Sequence, residues 1–177
     1  QFNQVKEFHR VMDGQTQELP RVYLPEEAGY RASFKVEEIV EFLFAASNRD
    51  LSVFDDLTAQ LHTAIDTASR KVKAKPSANQ VDTLVDEADA LLDLLYFTYG
   101  SLVLMGVDPY ELFNTVHKAN MGKIFPDGKA HFDPVTHKIL KPENWEAEFA
   151  PEDKIKQEID RQIRVAMSKL SKTKDTD

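Results

Sequence analysis

An all-α fold is predicted for this 177-residue chain. Three observations predict it. Apolar residues recur at three- and four-residue intervals over several long segments, the period that gives a helix one buried stripe. Helix start and stop signals stand at the ends of those segments. Gly and Pro breakers collect between them.

Phe2, Val5, Phe8 and Met12 make a short amphipathic first helix, which Asp13-Gly14 ends. A connector punctuated by Pro20 and Pro25 follows, and the second helix runs from about Glu26 or Ala32 to Ser47. Asn48 to Asp50 break the pattern. Phe54, Leu57, Leu61, Ile65, Ala68 and Val72 form an unbroken stripe, so the third helix spans about Leu51 to Lys73 and needs another helix against it. The fourth, about Asn79 to Met105, is so apolar between Ala88 and Leu104 that several of its faces must be covered. Gly106 is placed to cap it in the left-handed conformation. Asp108, Pro109 and Glu111 open a fifth helix that ends near Gly122. From Ile124 to Trp145 the breakers are too dense for a useful helix, and a small β-hairpin between Ala130 and Leu140 is the expectation. Pro151-Glu152-Asp153 starts a last helix to about Leu170, and residues 171–177 are expected to fray. One domain, residues 1–170, is expected, and its long apolar helices suggest a homo-oligomer.

Composition narrows the function. A chain this long buries roughly 70% of its unfolded surface, enough for a core without disulfide or structural metal. It has no cysteine, which excludes a disulfide framework, a thiol nucleophile, an Fe–S cluster and cysteine-ligated zinc. Asp plus Glu number 30 against 22 Lys plus Arg, so the net charge of -8 argues against a nucleic-acid binder. An acidic chain can still take a nucleotide if its carboxylates first hold a divalent cation. No uninterrupted run reaches the length of a membrane span, and no signal-peptide core stands at the N-terminus. The expectation is a cytoplasmic protein without membrane or nucleic-acid partners. The chain starts at Gln1, and a missing or processed leading segment is expected.

Two helices carry acids that a simple core-and-surface account does not explain. Glu38 and Glu41 stand three apart on the second helix, on one face, with Glu37 to the side. The bland alternative for Glu37 and Glu38 is a solvated helix start. Asp86, Asp89 and Asp93 form one stripe on the fourth, and Asp93 sits among leucines, where a lone carboxylate is costly unless paired or metal-bound. The two stripes, on antiparallel helices, are expected to converge on an oxygen-rich cage suited to Mg²⁺ or Mn²⁺ rather than zinc. The five histidines show no H-E-x-x-H spacing, and no Gly-rich phosphate loop is present. A phosphate ligand would therefore need side-chain cations. Arg31 stands two turns before Glu38, and His117, Asn120 and Lys123 follow at three-residue spacing as a candidate phosphate- or base-binding edge.

Arg31 with Glu37-Glu38-x-x-Glu41, then Asp86 to Asp93 running into Leu94-Leu95-Tyr96-x-x-Tyr99-Gly100, then His117-x-x-Asn120-Met121-x-Lys123, resembles the all-α nucleoside triphosphate pyrophosphatases. That superfamily includes MazG-like proteins, dimeric dUTPases and phosphoribosyl-ATP pyrophosphohydrolase. The tail from Lys123 through Pro126-Asp127-Gly128-Lys129 to Lys141-Pro142-x-x-Trp145 is similar to the MazG-like branch, and the resemblance covers about residues 8 to 146. It implies a MazG-like helical bundle, in which Glu-x-x-Glu of one helix and Glu-x-x-Asp of another bind Mg²⁺. Glu38 and Glu41 take the first pair of roles, Glu37 orients or activates water, and Asp93 takes the motif's Asp. This chain departs three residues earlier, at Ala90, where Asp89 is the substitute and Asp86 the reserve.

The implied reaction is hydrolysis of the α–β phosphoanhydride of a nucleoside triphosphate to monophosphate and pyrophosphate. Arg31 and Lys123 would offset phosphate charge, with Asn120 on the substrate and His117 as a neighbour. Phe42, Tyr96 and Tyr99 are candidate base-facing aromatics. Alternatives are phosphoribosyl-ATP or another nucleotide-like substrate, and a nucleotide- or metal-binding oligomer without turnover. Family members work as dimers or as dimers of dimers.

Overall fold

The computed structural model describes residues 1–14, 16–76 and 82–174. Among them are seven helices: α1 (Phe2–Met12), α2 (Pro25–Ala46), α3 (Leu51–Lys73), α4 (Thr83–Met105), α5 (Tyr110–Met121), α6 (Trp145–Glu148) and α7 (Glu152–Lys174). No strand occurs among the described residues. The expected hairpin is reduced to one antiparallel bridge between Phe132 and Ile139. The fold is all-α. Residues 79–81, where the sequence pattern starts the fourth helix, and residues 175–177 of the tail lie outside the described residues. Residues 171–174 continue α7.

The described residues group into two compact units, with the boundary inside α4: Pro20–Ala88, and Gln1–Leu19 with Asp89–Asp177. In the first, α2 packs on α3 as a helical hairpin. Its turn uses left-handed backbone at Asn48 and Arg49 (φ 53° and 62°), and the Asp50 carboxylate caps α3 by accepting from the Ser52 and Val53 N–H groups. Phe44 meets Phe54 edge to face at 5.2 Å across the hairpin. The Pro20–Pro25 connector is pinned at both ends of its span. Arg21 donates two hydrogen bonds to Glu27, and the Tyr23 N–H reaches Glu87 in the first turns of α4 at 3.0 Å.

In the second unit α5 is the centre, packing on α1 and on α7. Gln4 donates to Asn114 at 2.9 Å, and Gln162 of α7 exchanges two hydrogen bonds with the Asp108 backbone. Asp108 also accepts from the Tyr110 N–H, as its capping position predicts, although the helix begins one residue later than Pro109. Gly106 has φ 70°, and the Val107 N–H reaches back to the Leu102 carbonyl, which closes α4 as its sequence predicts.

The segment Ile124 to Trp145, irregular by its sequence, leads into the short helix α6 and folds back on the end of α5. Trp145 is buried and donates its indole N–H to the Ala119 carbonyl at 2.8 Å. The Phe149 ring lies directly over Gly122, so a Cβ there would fall within clash distance of the ring. Gly122→Ala should therefore lower stability by about 2 kcal/mol, the cost of overpacking a close contact. Chemical denaturation measures it; a change within experimental error would mean that Phe149 swings away at no cost.

Helix α4 departs most from expectation. Its composition calls for covered faces, yet it contains no buried residue. Leu92, Tyr96 and Leu104 are 65%, 76% and 90% exposed. By length and composition alone α4 could also cross a membrane, a feature that a search for uninterrupted apolar runs does not register.

Candidate active site

Helix α2 starts from a firm cap, because the Glu27 carboxylate that binds Arg21 also accepts the Leu24 N–H at 3.0 Å. The Arg21 guanidinium, and then that N–H, hold the Glu27 carboxyl at about 2, below its ordinary 4.5. A depressed carboxyl contributes stability that is fully present above its ordinary value and is lost as pH falls through the depressed one. The thermal midpoint of the native chain should thus exceed that of Glu27→Gln by a constant margin near neutrality. The margin should shrink between about pH 4.5 and pH 2. A margin independent of pH over that range would show that the pair does not hold the helix start.

From that cap, helical spacing puts Arg31, Lys35, Glu38 and Glu41 on one side of α2. Arg31 is exposed and lies over the Phe34 ring at 5.7 Å, while the Lys35 ammonium donates to the Arg31 carbonyl at 3.0 Å. Burial, and secondarily the Arg31 charge, push the Lys35 ammonium below the usual lysine range. Lys35 was not singled out from the sequence, although its place four residues after Arg31 and three before Glu38 is the signal that marks it. Glu37, Glu38 and Glu41 are all exposed.

On α4, Asp86, Asp89 and Asp93 form one exposed stripe, and Ala90 beside them is exposed too. Asp93 is not enclosed by its leucines, because those leucines are themselves uncovered in the single chain. Glu38, Glu41, Asp86, Asp89 and Asp93 have no side-chain hydrogen bond or ion pair among the described residues.

At the end of α5 the Lys123 ammonium donates to the Asn120 side-chain oxygen at 2.8 Å, so these two residues are brought together. His117 makes no bond to either. Its side chain is 13% exposed and faces Glu7 of α1 at 3.9 Å. Tyr99 hydrogen-bonds Gln1, whereas Phe42 and Tyr96 stand exposed on their helices.

Among the described residues, no three His, Asp or Glu side chains gather closely enough to hold a metal ion. The donor chemistry nonetheless fits Mg²⁺. Each helix offers carboxylates one turn apart, and Mg²⁺ takes one or two protein carboxylates and fills the rest of its shell with water and substrate phosphate.

The sequence pattern of the phosphoribosyl-ATP pyrophosphohydrolase family matches residues 5–120. No curated protein matches the chain. A crystal structure from Exiguobacterium sp. 255-15, described as a candidate NTP pyrophosphohydrolase, is similar over 93% of this chain and 96% of its own, with 32% identity and a TM-score of 0.82. The family match takes in both acidic helices and α5 as far as Asn120. The chain belongs to the all-α NTP pyrophosphohydrolase superfamily of MazG-like and phosphoribosyl-ATP pyrophosphohydrolase proteins.

Proposed function

We propose that this chain hydrolyses the α–β phosphoanhydride of a nucleoside triphosphate, releasing the monophosphate and pyrophosphate. Family membership supports the reaction type. The observation that carries the assignment is the set of exposed, uncommitted carboxylates Glu38, Glu41, Asp89 and Asp93 on two helices. Such carboxylates, one turn apart on each helix, are the oxygen donors that Mg²⁺ takes from a protein.

In this reading Glu38, Glu41, Asp89 and Asp93 hold Mg²⁺, or Mn²⁺, with Asp86 in reserve. With an ion held there, these carboxylates would give the site charge neutralisation at the phosphates and a water of lowered pKa. Glu37 orients the attacking water and takes its proton. Arg31 offsets charge on the departing pyrophosphate. Lys123, aimed by its bond to Asn120, meets a phosphate oxygen, and Asn120 helps to fix the substrate. His117, turned towards Glu7, supports the α5 edge rather than moving a proton.

Helix α4 needs a cover, and we assign that role to a second copy of the chain, in a homodimer or a dimer of dimers. Consecutive residues Leu91 to Phe97 are all exposed, so every side of the helix is bare over two turns. A membrane is a poorer cover, because Asp89 and Asp93 would enter it with the leucines. A cytoplasmic location accords with this reading.

The family matched by sequence acts, by its name, on phosphoribosyl-ATP, which makes that compound the second reading. A screen of nucleoside triphosphates and phosphoribosyl-ATP with Mg²⁺, resolving monophosphate from diphosphate products, separates the two. Absence of any pyrophosphate release would leave a binding protein without turnover.

Lys123→Ala should weaken substrate affinity about tenfold or more, as loss of a charge-assisted hydrogen bond does, while a half-buried helix-end charge is worth at most about 2 kcal/mol of stability. Measuring KM beside the thermal midpoint checks this. A large midpoint loss with intact KM would make Lys123 structural.

A further inference from the structure

Beyond α5 the chain forms a shallow, open cleft of about 540 Å³, lined by Phe125 and Pro126 from one stretch and Pro142, Glu143 and Asn144 from another. A flat ligand would lie against it with one side in water. Both walls are held in place. Phe125 stacks on His131 with centroids 4.1 Å apart and planes 21° from parallel, and His131 is tethered to Asp127 at 2.9 Å. A turn closed by the Phe125 N–H on the Lys129 carbonyl fixes the same wall. Opposite, Pro142 is buried and its carbonyl accepts the Trp145 N–H, Trp145 is anchored to Ala119, and the Lys141 ammonium sits 3.7 Å above the indole.

These walls are an aromatic ring and two proline rings, which suit a flat apolar ligand. The Glu143 and Asn144 side chains have no hydrogen-bond partner among the described residues. An ionised carboxylate accepts hydrogen bonds and cannot donate, so it repels phosphate and favours a group rich in N–H. A phosphate has its own place nearby, at Lys123, whose Cα lies within about 7 Å of that of Phe125 along the chain.

We propose that this cleft binds the substrate's nucleobase and selects bases bearing an exocyclic amino group, which donates to the Glu143 carboxylate while Asn144 pairs with the adjoining ring edge. The identification of the ligand as a nucleotide rests on the pyrophosphohydrolase reading above. Geometry places the base between Phe125, Pro126 and Pro142. Uracil and hypoxanthine, which carry an oxo group in place of the amine, would set oxygen against oxygen at Glu143 and bind more weakly.

Trp145 is the single tryptophan and adjoins Asn144, so its fluorescence reports on the cleft. Full-length protein is titrated with adenosine against inosine and with cytidine against uridine, pairs that differ by amine or oxo and carry no phosphate. The amino member should bind about tenfold tighter in each pair, the effect of a hydrogen bond to a charged group. Glu143→Gln should bring that ratio close to one, because an amide both accepts and donates. Phe125→Ala should weaken both members alike. No saturable signal from any nucleoside, or a ratio unchanged by Glu143→Gln, overturns the proposal. Amino-selective binding in a protein that releases no pyrophosphate would uphold the cleft and defeat the pyrophosphohydrolase reading. Equal turnover of ATP and ITP by an active enzyme would do the reverse.

Discussion

Asp93→Asn should reduce pyrophosphate release by about a hundredfold or more. Loss of a residue that merely orients a metal ligand costs 10- to 100-fold, and loss of a ligand costs at least as much. The substitution keeps the size of the side chain and removes its charge. Because Asp93 has no hydrogen bond or ion pair among the described residues of the single chain and Asn removes only its charge, the fold itself should hold, whether or not a second copy covers the helix. Turnover and Mg²⁺ affinity should therefore fall together while the thermal midpoint stays put. An unchanged Mg²⁺ titration by calorimetry in this variant would remove Asp93 from the ligand set.

The same titration decides what stands in for the acid missing at Ala90. Asp89 is one turn before Asp93 on a continuous helix, and Asp86 is three residues further away, about 4.5 Å in rise. Asp89→Ala should weaken Mg²⁺ binding strongly and Asp86→Ala only slightly. Equal effects would mean that water, not Asp89, fills the position.

A charge on α4 should be the most damaging surface change in this protein. In the single chain Leu92 is 65% exposed, and an exposed Leu→Glu exchange ordinarily moves stability by less than about 0.5 kcal/mol. If a second copy covers the helix, the same exchange buries a carboxylate among leucines at a cost of several kcal/mol. Leu92→Glu should then convert an oligomer to monomers and lower the thermal midpoint sharply. Light scattering and the concentration dependence of the midpoint read both effects. A native protein whose measured mass is that of one chain, 20.2 kDa, would refute the covering copy.

Helix positions were open to reading because their determinants are local. Asp13-Gly14, the Asn48–Asp50 break and Gly106 act within a turn of the residues they punctuate, and α1 and α3 run as their apolar stripes predict. The pairing of Asn120 with Lys123 belongs to the same class, since three-residue spacing alone brings the side chains together. Family membership was legible for a related reason: the order of acids, then His-x-x-Asn-Met-x-Lys, is written along the chain.

What escaped the sequence depends on residues far apart in it. Helix α6 is four residues long, too short to show a period, and its anchor is a hydrogen bond from Trp145 to a carbonyl 26 positions earlier. Gly122 is expected as a helix stop, but its closeness to Phe149 follows from that fold-back alone. His117 stands in register with Asn120, yet the packing of α1 on α5 turns it towards Glu7. Composition established that α4 is apolar. Hydrophobic burial has no direction, however, so composition could not say whether the cover comes from the same chain. Tertiary structure bears on it: the described residues bury no residue of the helix.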